Sequence, residues 1–147
     1  MIAGQDNPFE LDVYTPAGRV LRMEVRSVVF PAMDGQMGVL AGHAPLVAMV
    51  GAGRLIVEPP EGKDRQFFLA GGFVHVRENA MTILAEECCA MEDLDHEAAW
   101  DELSKARRLP TETPEETALR EQVVETARVR FRLAQEHRRK KIKGQAR

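Results

Sequence analysis

The sequence predicts an all-β N-terminal domain joined to a C-terminal α-helical hairpin. Two observations carry that fold class. Residues 8–92 are made of short apolar runs with alternating periodicity, cut by Gly, Pro and Asp turns. Beyond about residue 93 the chain becomes rich in Ala, Glu and Arg at helical spacing. With 147 residues, 44% hydrophobic and 29% charged, the chain is long enough to bury a core. It suits one domain or two small ones. We expect the β-domain over 8–92 and the hairpin over 95–143.

The strands follow in order. FELDVYT (9–15) sets Phe9, Leu11 and Val13 against Glu10, Asp12 and Tyr14, the period of a half-buried strand. TPAG (15–18) is a turn in which proline pre-sets φ. In VLRMEVRSVVF (20–30), Leu21, Met23 and Val25 alternate with Arg22, Glu24 and Arg26, and Ser27 opens an apolar run. MDGQMG (33–38) reads as turn chemistry. VGAG (50–53) separates LVAMV from RLIVE, and PPEGKD (59–64) is a polar hairpin end. QFFLAGGFVHV (66–76) reads as two strands broken at Gly71–Gly72. RENA (77–80) turns the chain into MTILAE (81–86). Strands of this length and spacing make an antiparallel sandwich or barrel.

The helices follow. Asp95 is placed to cap a first helix running to about Arg108, with Ala99, Leu103 and Ala106 on one face. The second start is stronger. Thr113, Pro114 and Glu116 form a capping box with proline at the first helical position. No Gly or Pro follows until about Lys141, and Leu119, Val123, Ala127, Phe131 and Ala134 make an apolar stripe. Acids crowd the start of this helix and bases its end, which suits the helix dipole.

Charge is divided unevenly along the chain. The net charge is −3, yet residues 128–147 hold nine basic residues and one acid, a net of +8. That leaves −11 for residues 1–127. A cationic helix end can be a solvated face, a phosphate-binding surface or a dock for an acidic protein. Phe131 is the one ring near it, so no aromatic stacking platform supports nucleic acid.

Catalytic motifs are not found. His96–Glu97 opens a near miss to HExxH, but Trp100 stands where the second histidine belongs. There is no GxGxxG, no P-loop and no GxSxG. Cys88 and Cys89 are adjacent, poorly placed to bridge each other, and lack a second pair for zinc. No metal, no membrane-spanning helix and no secretory signal is expected.

DGQMGVLAGHAPL (34–46), FLAGGFVHV (68–76), MTILAEE (81–87) and LDHEAAWDEL (94–103) stand in one order before a terminal helical hairpin. In these words the chain resembles the F-type ATP synthase epsilon subunit over nearly its whole length. The resemblance implies a ten-stranded β-sandwich followed by two helices. It implies a non-catalytic central-stalk subunit that couples proton translocation to ATP synthesis and restrains ATP hydrolysis through the hairpin. The implied partners are the gamma subunit, the c-subunit ring, and the alpha and beta catalytic subunits, with no nucleic acid. The implied location is the cytoplasmic face of a bacterial cell membrane, peripheral and reached only through the complex. Arg128, Arg130, Arg132, Arg138, Arg139 and Lys140 match the cations that meet an acidic segment of the beta subunit. Asp34, Gln36 and His43 match the c-ring and stalk contact. Gln36 stands where relatives often place an acid, so it cannot pair ionically with a ring arginine. Some relatives bind regulatory ATP at the start of the first helix, where Asp95 is the matching residue. Ala98 replaces the arginine of that pattern, so no cofactor is expected and Asp95 reverts to a helix cap. The alternative from another class is a β-sandwich scaffold whose basic helix binds nucleic acid.

Overall fold

Alternation builds the first strand: along β1 (Phe9–Thr15) the side chains of Phe9, Leu11 and Val13 are buried, with Glu10 and Asp12 on the other face. The computed structural model describes residues 7–145. β1 pairs antiparallel with β2 (Gly18–Val25), Leu11 opposite Met23. Arg26 ends β2, and β3 (Ser27–Ala32) follows. β4 (Gly35–Leu40) pairs back on β3, Phe30 opposite Met37 and Pro31 opposite Gln36. The expected turn at 33–38 is therefore mostly strand. Only Met33 and Asp34 turn, and Gly35 adopts the positive φ that closes so short a hairpin.

β5 (Leu46–Met49) and β6 (Ala52–Glu58) follow, then two long strands, β7 (Arg65–Arg77) and β8 (Ala80–Ala90). The hydrogen-bonded order is β2-β1-β8-β7-β6-β3-β4, with β5 added on β7. The sheet folds over as a β-sandwich around Leu11, Val28, Phe30, Leu55, Leu69 and Ile83, all fully buried. One pair departs from the antiparallel expectation: β1 runs parallel to β8.

Eight strands stand where the resemblance implied ten, and β7 runs unbroken where the sequence reads as two strands. The first half of β7 pairs with β6 and the second half with β5, and β8 pairs along both halves. The handover falls at Gly71 and Gly72, which take φ of 72° and 101°. A Cβ on Gly72 would collide with the Leu84 carbonyl, so only glycine lets the strand bend here without losing its partner.

The chain divides into two compact units between Ala90 and Met91. In the second, a single 3-10 turn (Met91–Asp93) leads to α1 (His96–Ala106). The Asp95 carboxylate accepts from the N–H groups of Glu97 (2.9 Å) and Ala98 (3.2 Å), which fixes where the helix starts. α2 (Pro114–Gln145) begins with the capping box intact. Glu116 N–H donates to Thr113 Oγ1 at 3.1 Å, and Thr113 N–H donates to Glu116 Oε2 at 3.2 Å. Leu103 and Ala106 of α1 pack on Val124, Ala127 and Phe131 of α2. At 32 residues α2 spans about 48 Å.

Candidate functional site

Three surfaces carry the unusual chemistry. The first surrounds β4. Asp34 and Gln36 are exposed at its start, and His43 is exposed in the 41–45 loop beyond its end. The strand separates them, so the three residues do not form one patch. Gln36 sits on the strand rather than in a loop. The loop carrying His43 is tied down locally. His43 N–H donates to the Leu40 carbonyl (3.1 Å), and its Nδ1 donates to the Ala44 carbonyl (2.6 Å).

The second surface is a row of apolar side chains left in water. Met49 of β5 lies opposite Phe73 of β7, which lies opposite Leu84 of β8. Directly opposed residues point to the same face. They are 56%, 52% and 55% exposed, and Val47, two residues before Met49, is exposed as well. Contiguous apolar surface of this kind marks a docking face. Sequence reasoning missed it, because Phe73 and Leu84 alternate like core residues. The usable signal is that FVHV and TILA carry large apolar side chains on both faces of their strands.

The third surface is the basic part of α2, and the six expected cations do not act as one group. Arg130 turns into the hairpin seam, its side chain 14% exposed, and pairs with Glu102 of α1. Arg138 Nη1 donates to His96 Nδ1 at 3.0 Å; a guanidinium only donates, so that ring nitrogen is the acceptor. Arg128 pairs with Glu125 at 3.0 Å on its own helix. Arg132, Arg139 and Lys140 are exposed. α1 begins opposite Arg138, so α2 runs past it with Arg139, Lys140, Lys141 and Lys143 on the overhang.

The seam also holds rings. Phe131 lies 5.0 Å from the His96 ring and 5.3 Å from Trp100. His96 and Trp100, the residues of the HExxH near miss, are thus spent on hairpin packing. Asp95 is spent on capping, with Ala98 beside it offering no cation. Among the described residues no group of three or more His, Cys, Asp or Glu is placed to hold a metal. Burial pushes the Cys88 thiol up to about 12, further from the reactive thiolate.

The β-sandwich has a known family, and the chain as a whole has known relatives. The family model for the ATP synthase delta/epsilon chain β-sandwich domain matches residues 8–90. The chain is 32% identical to an ATP synthase epsilon chain of Rhodopirellula baltica over 120 residues, covering 82% of this chain and 93% of that one. This chain belongs to the ATP synthase epsilon chain family. A sodium ion specific epsilon chain of Propionigenium modestum is 28% identical over 131 residues, 88% of this chain and 95% of that one. A chain in the Euglena gracilis mitochondrial ATP synthase structure, comprising OSCP, F1 and c-ring, superposes with a TM-score of 0.71. It is 28% identical, and the match covers 83% of this chain and 78% of that one. The GHAPL loop and the glycine pair at 71–72 both fall inside the matched β-sandwich domain. Among the described residues no helix is long and apolar enough to cross a membrane.

Proposed function

We propose that this chain is a non-catalytic subunit of the central stalk of a rotary F-type ATP synthase. Its β-sandwich binds the gamma subunit and the c-ring. Through that attachment it couples proton translocation to ATP synthesis, and its hairpin restrains ATP hydrolysis by meeting the alpha and beta catalytic subunits. The complex holds it peripherally on the cytoplasmic side of the membrane. The observation that carries the reading is the exposed row Met49, Phe73 and Leu84, on a domain of a family whose relatives are stalk chains. The basic overhang of α2 supports the second half, since long-range attraction to carboxylates suits a helix that must find its partner during rotation.

Asp34 and Gln36 at one end of β4, and His43 at the other, serve two separate contacts on the stalk and c-ring. The hairpin works without regulatory ATP: Asp95 is occupied as a cap and Ala98 supplies no phosphate partner. Calorimetric titration with ATP checks this, and tight binding would refute it.

The deciding experiment compares ATP hydrolysis by the assembled complex carrying the full chain with one carrying residues 1–90. Truncation should raise hydrolysis while the sandwich stays attached. Unchanged hydrolysis assigns the basic helix another role. A salt-sensitive shift of random DNA, together with no binding of the gamma subunit, overturns the reading in favour of a nucleic-acid scaffold.

A further inference from the structure

The geometry points to Asn79 as the positioning residue that holds the His43 loop in its docking conformation. Glu78 and Asn79 form the two-residue turn between β7 and β8, both with positive φ (50° and 58°), and Arg77 pairs with Ala80 across it. A turn with two positive φ values accepts glycine at its second position more readily than asparagine. Turn geometry alone therefore does not ask for the Asn79 side chain.

Both ends of that side chain are used elsewhere. Its Oδ1 accepts from the Gly42 N–H at 3.3 Å, and its Nδ2 donates to the Pro8 carbonyl at 3.4 Å. One amide thus ties the 41–45 loop to the lead-in of β1 across 37 and 71 residues of sequence. The loop's other restraints are local, the two hydrogen bonds of His43 to the Leu40 and Ala44 carbonyls, and neither anchors it to another strand. Gly42 sits at φ 78°, and Pro45 has no N–H to donate. Removing the tether frees the Gly42 amide, and the locally bonded His43 turn can then shift as a unit into orientations a partner must select against.

This inference rests on the reading above that the His43 loop faces a stalk partner. The test uses the full chain with Asn79→Gly, Asn79→Asp and His43→Ala. Water-exchange NMR reads the Gly42 amide, thermal unfolding reads the fold, and binding is measured to a gamma–c-ring subcomplex. Asn79→Gly should leave the melting temperature unchanged or raised. It should speed Gly42 exchange about fivefold, the worth of one hydrogen bond, and weaken binding by a similar factor. Asn79→Asp keeps the acceptor for Gly42 and should stay within about twofold of the parent in both readouts. A parental exchange rate at Gly42 in Asn79→Gly overturns the tether. Parental binding by Asn79→Gly, or binding by Asn79→Asp as weak as that of Asn79→Gly, overturns its role in docking. Full binding by His43→Ala instead overturns the reading of the loop as a contact surface.

Discussion

Cys88 lies part-buried on β8, and the burial that lifts its pKa to about 12, helped by Cys89 beside it, makes stability depend on alkaline pH. An unfolded thiol titrates near 9.0. Below that pH both states hold the proton and the contribution is fully present. From about 9 to about 12 the unfolded chain has lost the proton that the native chain keeps, so stability falls as pH rises. Cys88→Ala should flatten that fall when urea midpoints are compared just below and well above pH 9. Equal slopes in parent and variant would refute it. Phe73 gives the opposite kind of residue, one the fold does not need. Phe73→Asp should leave unfolding within about 0.5 kcal/mol of the parent and weaken gamma-subunit binding about 30-fold, as loss of an aromatic anchor does. Binding at parental strength would remove the apolar row from the stalk contact. Asp95, Thr113 and Glu116 were legible in the sequence, because a cap depends on residues within one turn. Phe73 and Leu84 were not, because alternation reports a period and leaves open which face meets water.

Whole elements divide along the same line. β1 was legible to the residue because its alternation is strict and its outer face charged. β4 was not, since Gly35, Gln36 and Gly38 have turn composition, and only pairing with β3 makes them a strand. The stripe on α2 was right at Ala127, Phe131 and Ala134 and wrong at its start. Leu119 and Val123 are exposed, and Val124 takes their place in the seam ahead of Ala127 and Phe131. α1 ends at Ala106, opposite Val124, so nothing of α1 remains to cover Leu119. There Arg120 donates through Nε and Nη2 to the Arg107 carbonyl and closes the end of α1. Two predictions belong to the hairpin. Thr113→Ala should cost about 1 kcal/mol by removing one half of the capping box. Glu102→Ala takes a carboxylate from Arg130, whose side chain is 14% exposed, and should loosen the seam. Trp100 is the chain's single tryptophan and lies against Phe131, so its fluorescence reports the seam directly. Its transition should move to lower denaturant in Glu102→Ala. A transition unmoved from the parent's would show that the pair contributes nothing.

Across the whole molecule, charge is the property that the sum of −3 conceals. The fold makes the partition sharper than a count of basic residues does. Arg130 and Arg138 are held by Glu102 and His96, so the cations offered outward are Arg132 and the overhang from Arg139 to Lys143. Two consequences separate the outward set from the inward one. Replacing Arg132, Arg139 and Lys140 together with glutamine should leave Trp100 fluorescence and thermal unfolding unchanged. It should weaken restraint of hydrolysis about tenfold, the sum of a few exposed ion pairs. Arg130→Gln should do the reverse and disturb the seam first. Salt provides the independent check. Exposed charges are screened over about 8 Å at 0.15 M ionic strength, whereas apolar docking of the sandwich is not. Raising salt should therefore relieve restraint of hydrolysis by the parent while the chain remains bound to the stalk, and the triple variant should respond little. A parent and a triple variant that respond equally to salt would show that the overhang is a solvated helix end, and that the hairpin restrains hydrolysis by packing alone.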